Sequence, residues 1–271
     1  MAPLWGACLR REYLGQDEAG QAMSGWPEGY GKRVLAEVDS TNAEAARIAS
    51  GLSGPEWILA LRQTAARGRR GRAWANPEGN FAATLVMRPA GAADRVALRS
   101  FVAALAVCDA VVDATGRPER VALKWPNDVL LNGGKLAGIL LESAGAGAGV
   151  AHLAIGIGLN LIVAPDPGMF EPGALRPVSL VSETGVALAP EEFLDLLAPA
   201  YARYEAQFAA YGFAPIRTAW LDRAARLGEV ITARTARDAI TGTFQTVDAA
   251  GNLVLTTPRS RHAIPAAEIF F

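Results

Sequence analysis

The stretch VALKWPNDVLLNGGKLAGILLES, residues 121–143, decides the fold. It divides into three strand-like pieces. VLL and KLAGILLE flank Asn132-Gly133-Gly134, residues that accept positive φ and so signal a tight hairpin turn. Trp125-Pro126 fixes the local backbone, and Asn127-Asp128 suits a turn. Downstream, GAGAG (145–149) is a second flexible turn and AHLAIGIGLNLI (151–162) returns as a strand with two internal glycines. Glycine weakens a strand, so its presence there implies that something approaches the backbone closely.

Upstream, Phe101, Leu105, Cys108 and Val112 recur at helical spacing over 96–114, and Gly116 ends that helix. GNFAATLVMRP (79–89) reads as a strand closed by Pro89, and WILALRQT (57–64) as a buried strand. VLAEVDSTNAEAARIASG (34–51) reads as strand, cap and helix, with Thr41 and Glu44 as a capping box and Gly51 as the stop. PEEFLDLLAPAYARYEAQFAAY (190–211) is an amphipathic helix that Pro199 interrupts. From about 228 the pattern changes to short β-runs divided by turns, which suits a small β-barrel. A domain boundary falls in 212–228, and there are no repeats.

Composition narrows the class. The 271 residues hold 26 basic and 27 acidic side chains, a net charge of −1, so the chain as a whole is no polycation. Cys8 and Cys108 form neither a disulfide framework nor a metal cluster, and His152 and His262 exclude a histidine-rich metal site. Neither a secretory signal nor a membrane-length apolar run is present, and a reducing cytoplasm is the expected setting.

Four motifs carry chemistry. TAARGRRGRAW (64–74) places Arg67, Arg69, Arg70 and Arg72 in a loop with Gly68 and Gly71, followed by Trp74. Guanidinium forks match phosphate oxygens, and the indole offers a flat face to a base; a solvated charged loop or a nucleic-acid contact would also use such residues. Lys124 is a costly charge at the end of an apolar run unless it meets an anion. GIGLN (156–160) lacks the third glycine and the following helix of a dinucleotide fingerprint, and neither Gly31-Lys32 nor Gly134-Lys135 completes a Walker loop. Ser40-Thr41-Asn42 reads as a helix cap, and the same groups can face a pocket.

In order, STN, QTAxRGRxGRxW, NPEGN, KWPND…GKLAGILLE and GIGLN resemble the biotin protein ligases across residues 34–163, and GTFQTVDAAGNLVL resembles that family's C-terminal barrel. The resemblance implies an α/β (α+β) catalytic domain with a mixed sheet, related to class II aminoacyl-tRNA synthetases, over residues 1–220 with its core at about 34–210. A small SH3-like β-barrel would follow over 226–271. It also implies an ATP-dependent enzyme that makes biotinyl-5'-AMP and passes biotin to one lysine of a biotin carboxyl carrier protein domain.

By motif position, Ser40, Thr41, Asn42 and Gln63 would contact biotin, with Arg67, Gly68, Arg69 and Lys124 at its carboxylate. Lys124, Arg67 and Arg69 would be catalytic. Arg69, Arg72, Trp74, Asn127 and Asn160 would hold ATP or the adenylate, with Mg2+ carried on the ATP phosphates. Asp128 is a candidate to assist the acceptor lysine. The family has glycine where this chain has Ala66, which would matter if the backbone there needs positive φ. The 33 residues before the first matching strand lack two helical patterns, so a DNA-binding role is not expected. Whether the chain pairs as a homodimer is open, and no membrane partner is expected. A lipoate ligase or octanoyltransferase of the same superfamily, a nucleic-acid-binding protein and an inactive biotin-binding protein are the competing readings.

Overall fold

A computed structural model describes residues 25–68, 71–72, 74–145, 149–166, 168, 174–235 and 238–271. Seven strands form one mixed sheet: β1 (Gly31–Val38), β2 (Glu56–Gln63), β3 (Phe81–Met87), β4 (Val121–Lys124), β5 (Asp128–Leu131), β6 (Gly134–Ala144) and β7 (His152–Leu159). Their order is β1-β2-β3-β7-β6-β5-β4, with β1 and β2 parallel and every other neighbour antiparallel. The parallel pair needs a crossover, which helix α1 (Thr41–Ile48) supplies. The β5–β6 turn is the expected hairpin, with φ of 49° at Asn132 and 77° at Gly133.

Strand alternation gives the sheet two unlike faces. On one, Trp57, Leu59, Leu85, Leu153 and Ile155 join the main core with the long helices α3 (Arg99–Thr115) and α5 (Pro190–Tyr211). On the other, Ile58, Val86 and Ala154 form a smaller cluster with Ala45 and Ala49 at the α1 end, edged by Leu35, Ile48 and Leu52. Because α1 is short, it covers one end of that face. Beyond it lies the register row Ala82–Gly158–Gly138, where the central strands present almost bare backbone. The functional cleft opens there.

α3 is preceded by a short helix, α2 (Ala93–Ala97), and closes at Gly116 in the left-handed conformation, as expected. After α4 (Leu180–Thr184), α5 runs unbroken through Pro199, contrary to the interruption expected from sequence. The buried contacts of Leu197, Ala198, Ala200 and Tyr201 on both sides hold the helix across the missing donor. α6 (Phe213–Leu221) then leads to a five-stranded antiparallel sheet of β8 (Val230–Arg234), β9 (Ala239–Val247), β10 (Leu253–Thr256), β11 (Arg261–Ile264) and β12 (Glu268–Phe270), ordered β11-β10-β9-β8-β12. Its inward side chains, among them Ile231, Phe244, Leu253 and Ile269, are buried. Trp125 bonds this unit to the first by donating from Nε1 to Gly251 O at 3.1 Å.

Candidate active site

A cleft of about 570 Å³ opens on the bare face of the large sheet, within the range of small-molecule sites. Ser40, Thr41, Asn42, Gln63, Arg67, Gly68, Arg72, Trp74, Lys124, Asn127 and Asn160 all line it. Arg69 and Arg70 lie outside the described residues.

One wall is uncharged and polar. Ser40 occupies the N-cap of α1 without a side-chain cap bond, so the expected Thr41–Glu44 capping box is absent. Two other interactions take those side chains. Glu44 accepts from Arg47 at 2.6 Å, and the Thr41 hydroxyl turns inward, 2.8 Å from Thr84 Oγ1 and 3.2 Å from Gln63 Oε1. The Thr41 backbone N–H donates to the same Gln63 oxygen at 2.9 Å. Asn42 Nδ2 donates to Glu142 at 2.7 Å, and the Thr84 hydroxyl donates to Asn42 Oδ1 at 2.6 Å.

The floor explains the strand glycines. A Cβ on Gly156 would collide with Asn42 Oδ1, and one on Gly158 would stand 2.5 Å from the Trp74 indole. Gly138, the register partner of Gly158, would place its Cβ 3.1 Å from the same ring. The indole therefore lies directly on two adjacent strands, a contact any side chain at 158 would block.

The other wall is cationic. The arginine loop closes on itself through Gly68 N–H to Arg72 O at 2.7 Å and Trp74 N–H to Ala66 O at 3.1 Å. Among the described non-glycine residues, positive φ occurs at Asn132 and Arg226 and not at Ala66, so alanine is unstrained there. Arg72 donates to Glu268 of β12 at 2.9 and 3.3 Å, tying the loop to the C-terminal sheet. Lys124 ends β4 opposite Asp128, with its ammonium 5.3 Å from the Phe271 ring.

Lys135, which sequence reasoning treated only as half of a failed phosphate loop, also lines the cleft. It pairs with Asp128 at 2.8 Å and lies 5.8 Å from the Trp74 ring centroid. Thr84, Glu142 and Glu268 were missed as well. A lysine beginning a strand and a threonine inside an apolar run carry no local signal of a site. Asn127 donates from Nδ2 to Ile139 O at 2.6 Å, fixing the β4–β5 turn against β6. Asn160 donates to Val178 O at 3.0 Å, while its Oδ1 is buried without a partner.

Residues 34–160 match the Biotin/lipoate A/B protein ligase family, and residues 227–271 match the Biotin protein ligase C terminal domain. The chain is 62% identical over 238 residues to a biotin--[acetyl-CoA-carboxylase] ligase of Paracoccus denitrificans, covering 88% of this chain and 99% of that protein. It is 31% identical to the bifunctional ligase/repressor BirA of Bacillus subtilis, covering 87% of this chain and 73% of that protein. Among solved structures, the biotin protein ligase of Aquifex aeolicus in complex with biotin and ATP superposes with a TM-score of 0.74 at 26% identity, over 88% of this chain and 97% of that one. The chain belongs to the biotin protein ligase family.

Proposed function

We propose that this chain activates biotin with ATP and transfers it to one lysine of a biotin carboxyl carrier protein domain. The carrying observation is that an uncharged hydrogen-bonding wall and a cluster of cations line one cleft. Ser40, Thr41, Asn42 and Gln63 would receive the ureido ring, a compact set of two donors and one acceptor. Arg67, Gly68, Arg69 and Lys124 would meet the carboxylate, with Lys135 joining them from the cleft floor. Arg72, Trp74, Asn127 and Asn160 would take the nucleotide.

In the first step a biotin carboxylate oxygen attacks the α-phosphorus of ATP. A P–O bond forms, the bond to the departing pyrophosphate breaks, and biotinyl-5'-AMP results. Both reactants are anions, so fixed cations lower the barrier by offsetting charge where it gathers. In the second step the acceptor amine, having lost its proton, attacks the acyl carbon and AMP leaves. Asp128, which lines the cleft and is held by Lys135, is the candidate to take that proton.

Magnesium fits this cleft as a passenger of ATP. No group of three His, Cys, Asp or Glu side chains able to hold a metal exists among the described residues. An ion that keeps most of its shell as water and phosphate needs few protein donors, and the buried Asn160 oxygen and Asp128 are the oxygens at hand. When bound, the ion neutralises the triphosphate.

We divide the chain into a catalytic unit (residues 1–220) and a C-terminal unit (226–271), which the separation of the strands into two sheets, within 31–159 and 230–270, supports. Arg72 is already held by Glu268, and the net charge of −1 favours an enclosed phosphate ligand over DNA. No helix among the described residues is long and apolar enough to cross a membrane, in keeping with action in the cytoplasm.

The test is mass spectrometry of a purified carrier domain incubated with this protein, biotin and Mg-ATP. One biotinyl group on one lysine is expected. Modification with lipoate alone would overturn the reading.

A further inference from the structure

Four side chains behind the polar wall form a hydrogen-bonded row: Glu142, Asn42, Thr84 and Thr41. Thr84 is fully buried and does not line the cleft, so water does not complete its bonding. That makes the direction of each bond deducible. A carboxylate only accepts, so Glu142, 2.7 Å from Asn42 Nδ2, holds the amide with its NH₂ outward and Oδ1 toward Thr84. An amide oxygen cannot donate, so the 2.6 Å contact takes the single proton of the Thr84 hydroxyl. The Thr84 oxygen is thereby left as an acceptor 2.8 Å from Thr41 Oγ1, and this contact, shorter than the 3.2 Å to the Thr41 hydroxyl's other acceptor, Gln63 Oε1, takes the Thr41 proton. Gln63 Oε1 is occupied by the Thr41 backbone N–H at 2.9 Å, which turns the Gln63 NH₂ away as a donor.

We propose that Glu142 and Thr84 are positioning residues that commit the Thr41 proton inward, so that Thr41 Oγ1 faces the ligand only as an acceptor beside a Gln63 donor. That pairing complements an adjacent N–H and C=O of a cyclic urea. It rejects a ring with an oxygen where the N–H should be. Without the row, the Thr41 hydroxyl keeps only the longer contact to Gln63 Oε1, at 3.2 Å, and can turn to the ligand as a donor, so either polarity is accepted. The inference rests on the proposed placement of biotin against this wall.

The experiment measures biotin-dependent pyrophosphate release for Thr84→Val, Thr84→Ser, Glu142→Leu and Gln63→Ala. Substrates are biotin and its two cyclic carbamate analogues, each with oxygen in place of one ureido N–H. Wild type should favour biotin strongly over at least one carbamate. Thr84→Val and Glu142→Leu should raise the biotin KM by ~10-fold, the scale of a lost buried hydrogen bond, with kcat at saturating biotin within about twofold. Both should also shrink the biotin-to-carbamate ratio of kcat/KM by ~10-fold. Thr84→Ser, which keeps the hydroxyl and tests the fold, should restore both values.

Unchanged KM and ratio in Thr84→Val, with Gln63→Ala impaired, would overturn the row while leaving the site intact. A raised KM with an unchanged ratio would also overturn it, since packing alone produces that. If Gln63→Ala is itself unimpaired, the placement of biotin on this wall is what fails.

Discussion

Ser40, Thr41, Asn42 and Gln63 stand at the ends of regular elements, whereas Arg67, Gly68, Arg72 and Trp74 ride on a loop closed by its own backbone bonds and pinned by an ion pair to another sheet. The contrast follows from what each side must recognise. A neutral ring is identified by the direction of its hydrogen bonds, and direction demands side chains locked by buried neighbours. A phosphate or carboxylate is identified by charge, which a guanidinium can satisfy from several approaches. A loop suffices there, and it can also shelter a water-sensitive anhydride.

The contrast breaks most easily on the cationic side. Arg67→Ala and Lys135→Ala should each lower kcat/KM for biotin-dependent pyrophosphate release by ~10²- to 10³-fold, as losing a preorganised charge at a developing anion does. Either variant retaining activity within about threefold would remove that residue from the chemistry.

On the polar side the effect should be smaller and confined to biotin. Gly156→Ala pushes a methyl group into Asn42 Oδ1, an atom already bonded to Thr84, so the wall must shift. The biotin KM should rise by ~10-fold or more while the ATP KM hardly moves, because one neutral contact is worth about 1–3 kcal/mol. Gly138→Ala instead meets the Trp74 ring at 3.1 Å and Lys135 Cε at 3.7 Å, so it should act on the other side, milder and on the ATP KM. Equal changes in both KM values would mean that the two sides are not independent.

Glu268→Gln probes the link between loop and C-terminal sheet. Its pair with Arg72 has side chains 57% and 28% exposed, so its value lies at about 1 kcal/mol or below. We expect a change of less than about fivefold in the ATP KM, absent at high salt, with the biotin KM unchanged. Kinetics at two ionic strengths check this.

The same contrast governs what the sequence revealed. Asn132-Gly133 declared the hairpin, and Gly156 and Gly158 declared a close approach to the backbone, because turns and bare strands leave compositional marks. The arginine loop was conspicuous for its charge. Thr84 was not, being one hydroxyl inside FAATLVM whose importance comes only from the row that sets it beneath Thr41 and Asn42. Lys135 and Glu268 likewise reach the cleft through tertiary packing, one from β6 onto Asp128 of β5 and the other from a strand 196 residues away from Arg72 in sequence. The misread capping box has a related cause, since Thr41 bonds across the sheet to Gln63 and Thr84 instead of to its own helix.

Cys108 belongs to neither side and gives the smallest effect. It sits 2% exposed on α3, in the core on the opposite face of the sheet from the cleft, and burial pushes its thiol up to about 11. Asp109 adds to that shift and Arg223 opposes it. A thiol so placed is neither ionised nor accessible, so Cys108→Ala should leave both KM values and kcat unchanged. Peptide mapping after alkylation at pH 8 should find residue 108 unmodified until the chain unfolds. Its one consequence is for stability. A raised pKa means that the folded chain keeps the proton between pH 9 and about 11 while the unfolded chain releases it. The unfolded state then binds fewer protons, and stability falls by roughly 1.4 kcal/mol per pH unit across that window. Denaturant titrations at pH 8, 9 and 10 should show the decline in the wild type and a flatter profile in Cys108→Ala. Alkylation of the native protein at residue 108, or identical pH profiles, would place that helix closer to solvent than this packing allows.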